Sequence, residues 1–303
     1  MAHRYLPRFC AWHDALVKSL TRRQALRLGL TGAAAGTGAA GLLALGALLD
    51  PPKPRALPDP VEPPAAAASP LPTRESGSFV SAARGGILTN WIIARPPGQT
   101  GVLRPVIALH GMDSDAAGVM SLGVEDALAR LVASGRPPFA VISVDGGNSF
   151  WRPRASGQDS GAMVLNELIP MLATKNIDTT RVAFMGWSMG GYGALMLGSR
   201  LGPARTAAIC AISPALYMTY WGAPHDAFDS LDDWRKNSAL SLPPQLGSIP
   251  LRIDCGTGDG FYVATQQFVN QLPTPPAGGF YPGGHDADFW HQHLPDELAW
   301  LDS

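Results

Sequence analysis

The sequence predicts an α/β fold: a mostly parallel central sheet covered by helices on both faces, with a small cap insertion at about 214–249. Two observations predict it. Short, uninterrupted apolar runs, among them 106–109, 140–144 and 207–212, alternate with helical stretches, as strands buried on both faces require. Several runs end in polar or glycine-rich loops, such as His110-Gly111 and Asp145-Gly146-Gly147. In sheets of this kind function gathers in the loops at the carboxyl ends of the strands.

Taken in order, residues 1–50 read as an export segment. Thr21-Arg22-Arg23-Gln24-Ala25-Leu26-Arg27 fits a twin-arginine signal, and 28–49 is uncharged and rich in Ala, Gly and Leu. The alternative is an uncleaved membrane anchor, and with the arginines held inside both readings export the C-terminal domain. Residues 51–75 are a Pro/Ala-rich linker, leaving 76–303 as the folded domain. There, 78–82 and 87–94 are strands joined by an Arg84-Gly85-Gly86 turn. Further strands are expected at 106–109, 140–144, 181–186, 207–212, 251–255 and 279–281, and helices at 123–133, 161–173, 189–201 and 261–272.

Composition narrows the function classes. With 303 residues, 46% hydrophobic and 16% charged, the chain holds one large packed domain plus appendages. A net charge of −1 gives no attraction to nucleic acid or to an anionic membrane, so any membrane contact is assigned to the N-terminal segment. Abundant Ala, Gly, Pro and Arg suit a GC-rich bacterial genome. Cys10, Cys210 and Cys255 lack metal or redox spacing, and the last two read as buried free thiols. No cofactor is implied.

The chemistry-bearing motif is Gly186-Trp187-Ser188-Met189-Gly190, which follows an apolar strand and opens a helix. A serine on so sharp a turn needs small neighbours two residues away on either side, and the helix after it directs its positive end at a developing oxyanion. For the base, His285 in Pro282-Gly283-Gly284-His285-Asp286 follows the last strand, with glycines that give it room to swing; His291 and His293 sit in a helix-like segment. A metal site from His285, Asp288 and His291 matches no tight zinc spacing. The acid is Asp259, in Gly256-Thr257-Gly258-Asp259-Gly260 after a strand; its rival Asp254 lies within that strand. The order Ser, Asp, His is that of the α/β-hydrolases. Backbone N–H groups of Met189 and Met112 are the oxyanion donors. His110, Asp113, Trp151 (with Arg152), Trp187 and Trp221 are candidate substrate contacts; the alternatives are that Trp151 and Arg152 pack their loop against the domain and that the aromatics of 213–250 only bury that insertion.

These motifs resemble the esterase family that includes esterase D (S-formylglutathione hydrolase) and the mycolyltransferases of the antigen 85 group. The likeness rests on the His110-Gly111 loop, 166–170, Gly186-Trp187-Ser188-Met189-Gly190-Gly191-Tyr192-Gly193-Ala194, Gly258-Asp259-Gly260-Phe261, and Gly283-Gly284-His285-Asp286 with Phe289-Trp290. It implies an α/β-hydrolase fold with Ser188, Asp259 and His285 in the catalytic places and Met112 and Met189 in the oxyanion places. Asp113 stands where the mycolyltransferases carry an Arg, which favours hydrolysis of an acyl ester over transfer to a sugar or lipid alcohol. A third reading is a non-catalytic carbohydrate- or matrix-binding protein on the same scaffold.

Overall fold

A computed structural model describes residues 69–302, which fall within the unit Pro64–Ser303. The twin-arginine segment, the linker up to residue 68, His3, Cys10 and His13 lie outside the described residues.

Eight strands form one sheet: β1 (Arg74–Ser81), β2 (Ile87–Ala94), β3 (Arg104–Leu109), β4 (Phe139–Val144), β5 (Val182–Trp187), β6 (Thr206–Ile212), β7 (Leu251–Gly256) and β8 (Ala277–Tyr281). Their order is β1-β2-β4-β3-β5-β6-β7-β8; β2 runs antiparallel to β1 and β4, and all other pairs are parallel. Every residue of β4 and β5 is buried, which explains why both are apolar apart from Ser143. The helices Met189–Leu201 and Tyr262–Asn270 cover one face, where Leu195 and Phe268 join Ile107 and Ile142 in the core. Val124–Ala133 and Ala287–Leu301 cover the other through Leu128 and Leu298. Full burial of each such side chain stabilises the fold by about 1.5–3 kcal/mol.

Three differences from expectation have local causes. The sheet begins at Arg74, inside the stretch read as linker, because Leu71 N–H donates to the Gln99 carbonyl and Arg95 N–H to that of Thr73. The helix expected over 161–173 is interrupted by a π-turn, Val164–Leu168. Pro170 has no N–H to offer the Asn166 carbonyl, and the helix widens there. A short helix, Ala116–Met120, was not expected; Asp115 caps it by accepting from Gly118 N–H.

The insertion after β6 is fastened to the domain. Tyr192 Oη donates to the Asn237 carbonyl at 2.6 Å, and Phe228 packs with Phe150, Tyr192 and Tyr217. Of its aromatics, Tyr217, Phe228 and Trp234 thus bury the insertion, whereas Trp221 is 83% exposed.

Candidate active site

The turn from β5 into the helix Met189–Leu201 sets Ser188 at φ 56°, ψ −119°, a strained geometry for a residue with a side chain. Backbone bonds hold it there: Ser188 N–H donates to the Ile212 carbonyl, and the Ser188 carbonyl accepts from Tyr192 and Ala215. The flanking glycines are required by close approach. A Cβ at Gly190 would overlap the Leu109 carbonyl, and one at Gly186 would overlap the Gly190 carbonyl.

His285 Nε2 lies 2.8 Å from Ser188 Oγ, and its Nδ1 lies 2.8 Å from Asp259 Oδ2. A carboxylate can only accept, so Nδ1–H donates to Asp259 and the Ser188 hydroxyl donates to Nε2. Burial pushes the Asp259 carboxyl up, but the hydrogen bonds from His285 and from Phe261 N–H outweigh it, and the group sits below its ordinary value. Phe261 and Trp290 meet the His285 ring edge-on at 5.1 and 5.3 Å.

The loops carrying base and acid are locked to each other. Thr257 N–H donates to the Tyr281 carbonyl and Gly258 N–H to that of Gly283, while a Cβ at Gly256 would overlap the Gly283 carbonyl. Gly256 is thus the glycine this approach requires, whereas the glycines before His285 leave room for other groups: a Cβ at Gly283 would overlap the Phe289 ring and one at Gly284 would crowd the Asp286 carboxylate. Asp254, the rival acid, is buried within β7 and accepts from Arg252 Nε at 2.6 Å and Gly279 N–H at 3.0 Å. His293 stacks on Tyr281. Cys210 and Cys255 are free and buried, and burial pushes the Cys255 thiol up to about 12.

Met189 opens the helix, where N–H groups have no acceptor within the helix. Met112 lies in the loop after β3 and lines, with Ser188, Val119, Leu122, Trp187 and Trp290, a largely apolar cavity of about 430 Å³. Asp113, at φ 56°, exchanges hydrogen bonds with Asn148 and so ties this loop to the one after β4.

The structure redistributes the expected substrate contacts. Trp187 is buried and lines the cavity. His110 also lines it, fully buried, with Nδ1–H donating to the Gly111 carbonyl and Nε2 accepting from Gly146 N–H. For Trp151, read either as a substrate contact or as packing of its loop, the structure shows packing: it is 0% exposed, with the glycines at 146 and 193 leaving room for its ring. Arg152 is likewise buried, paired with Asp233 at 2.8 Å and donating to the Ala227 carbonyl, so both residues support the loop. Trp221 stands outside the cavity lining. Sequence reasoning did not single out Asn148, nor the short helix 116–120 that contributes Val119; neither lies in a motif with a chemical signature.

The family model described as "Putative esterase" matches residues 94–301. The chain belongs to this esterase family. An acetyl esterase of Caldicellulosiruptor saccharolyticus is 28% identical over 203 residues, covering 57% of this chain and 76% of the relative. A solved ferulic acid esterase superposes with a TM-score of 0.67 at 21% identity, covering 76% of this chain and 97% of that one. An S-formylglutathione hydrolase of Staphylococcus aureus does so with a TM-score of 0.63 at 19% identity, covering 76% and 98%. The α/β-hydrolase fold of this esterase is thereby established, and it is an enzyme acting on esters.

Proposed function

We propose that this esterase is an exported carboxylesterase that cleaves an acyl ester through an acyl-enzyme on Ser188. The observation that carries the reading is the unbroken relay from Asp259 through His285 to Ser188 Oγ, both links at 2.8 Å. His285 takes the hydroxyl proton as Ser188 attacks the carbonyl carbon, then passes it to the departing alcohol; water repeats the cycle on the acyl-enzyme. Asp259 fixes the imidazole tautomer and stabilises the imidazolium. The N–H groups of Met112 and Met189 receive the oxyanion, each worth about 10²–10³ in rate.

The cavity of about 430 Å³ takes the apolar part of the ester. An apolar cavity of about 150 Å³ holds one benzene, so an acyl group well beyond acetyl fits. Water reaches the relay, since the His285 side chain is 29% exposed, and this supports hydrolysis. Transfer to a sugar or other alcohol is the second reading, supported by a polar groove bordered by Asn148, Arg154, Gln158 and Asp226. The intact relay argues against a purely binding role. Export rests on Arg22-Arg23 and the uncharged run after them.

Two measurements test this. Hydrolysis of p-nitrophenyl esters should fall by about 10³–10⁶ in Ser188→Ala, and equal rates would remove the esterase reading. Product analysis with glycerol or trehalose as acceptor decides between the two routes: free acid alone supports hydrolysis, and acylated acceptor supports transfer. For export, Arg22→Lys/Arg23→Lys should retain the protein in the cytoplasm.

A further inference from the structure

We infer that the carboxyl edge of the sheet docks on an uncharged or zwitterionic lipid surface, with Trp221, Met218 and Val263 as the inserting side chains. The inference deepens the acyl-ester reading of the cleft and rests on it. Its starting observation is an asymmetry. Val80, Ile87, Leu88, Met218, Trp221 and Val263 are large, apolar and exposed, and among the described residues only Val102 joins them.

Topology places all six at the carboxyl end of the sheet, in two groups: Met218, Trp221 and Val263 in the segments after β6 and β7, and Val80, Ile87 and Leu88 on the β1–β2 hairpin at the opposite margin of the strand order. Met218 follows Tyr217, whose ring meets Phe261 at 5.4 Å, and Phe261 in turn meets His285 at 5.1 Å. Val263 lies two residues beyond Phe261, in the first turn of the helix that follows β7. Trp221, in the short turn Tyr220–Gly222, is 83% exposed with its ring against Tyr220. β1 runs in the same direction as β4, so the hairpin end at Ser81 and Ile87 also lies at the carboxyl edge, where Val80 and Leu88 are cross-strand partners. Val102, in the loop entering β3, lies at the opposite edge. A folded protein in water gains nothing by exposing such groups at one end of its sheet, whereas an indole with aliphatic neighbours partitions into the interface of a bilayer.

Charge selects the surface. Exposed acidic residues border the cleft at Asp113, Asp115, Asp286 and Asp288, and Arg154 is already paired with Asp229. An anionic leaflet would repel this edge over about 8–10 Å.

The test uses the full chain with phosphatidylcholine vesicles carrying brominated acyl chains. The lipid should quench tryptophan fluorescence, and Trp221→Phe should lose a distinct component of that quenching; equal quenching in both proteins overturns the inference. Met218→Ser/Val263→Ser should hydrolyse a long-chain p-nitrophenyl ester dissolved in these vesicles about tenfold more slowly, equivalent to ~1.4 kcal/mol, with p-nitrophenyl acetate in solution unaffected. Equal loss on both substrates overturns it, as does a Trp221 response to polysaccharide but not to lipid. Vesicles rich in phosphatidylglycerol should quench less, and stronger quenching there contradicts the choice of surface. A wild-type protein inert toward p-nitrophenyl acetate would instead count against the acyl-ester reading, leaving the fluorescence result to stand alone.

Discussion

Asp113 and Asn148 close a two-bond ring at the mouth of the cleft: the Asp113 N–H donates to Asn148 Oδ1 at 2.9 Å, and Asn148 Nδ2 donates back to the Asp113 carboxylate at 2.6 Å. The ring holds a non-glycine residue in the left-handed region one position after Met112. Asp113 thereby orients the proposed oxyanion donor without needing to touch substrate. Asn148→Ala should lower kcat about tenfold, a fraction of what losing a whole donor costs, while changing stability by less than about 1 kcal/mol. Because both residues serve one ring, adding Asp113→Ala should cost little more. Fully multiplicative losses in kcat would show that they act separately.

The nucleophile turn should be intolerant of added volume where backbone crowds backbone. Gly190→Ala would press its methyl onto the Leu109 carbonyl, and urea unfolding should report a loss of about 3 kcal/mol or more. Gly260→Ala is the matched control: it meets nothing within 4 Å and needs no positive φ, so it should cost under about 1 kcal/mol.

His110 makes stability depend on pH. Burial is the main cause that depresses its pKa below the ordinary value of 6.5, so the folded protein keeps it neutral where the unfolded chain already binds a proton. The stability it contributes is present above about pH 6.5 and is lost as pH falls from there toward the depressed folded value. Tm should drop between pH 7.5 and pH 5, and His110→Gln should flatten part of that slope. An unchanged slope in the variant would place the pH dependence elsewhere.

Glu297 carries the opposite sign. It is fully buried in the helix Ala287–Leu301, neither carboxyl oxygen has a hydrogen-bond partner, and burial pushes its pKa well above the usual range. The unfolded chain ionises above about pH 4.3 while the folded one stays protonated, so this group costs stability as pH rises from there. Glu297→Met, similar in volume, should stabilise the protein by about 1–3 kcal/mol at pH 7. The gain should shrink toward pH 4, as chemical denaturation at both pH values would show.

Much of this architecture is written locally in the chain. The runs of β4 and β5 are apolar apart from the small Ser143, so their burial on both faces was legible, and the helix 189–201 followed from the turn that opens it. Ser188, Asp259 and His285 were legible because each sits in a glycine-bearing loop after a strand, and the structure brings the three together. The aromatics were harder to read. Trp151 and Trp221 look alike in sequence, yet one fills the space beside Gly146 and Gly193 and the other stands in solvent. That difference arises from distant backbone coming close, which no local pattern records. The Asp113–Asn148 ring escaped for the same reason, since its partners are 35 positions apart and neither has a distinctive neighbour.

The central claim is that Ser188 Oγ becomes the nucleophile because His285 and Asp259 are arrayed behind it. Its most direct test is covalent trapping with an organophosphonate ester at neutral pH, read by intact mass and peptide mapping. One adduct per chain should form on the peptide containing Ser188, with Ser188→Ala unlabelled and His285→Ala and Asp259→Asn labelled far more slowly. Labelling of Ser188→Ala to the same extent, or an adduct on another side chain, would contradict the account.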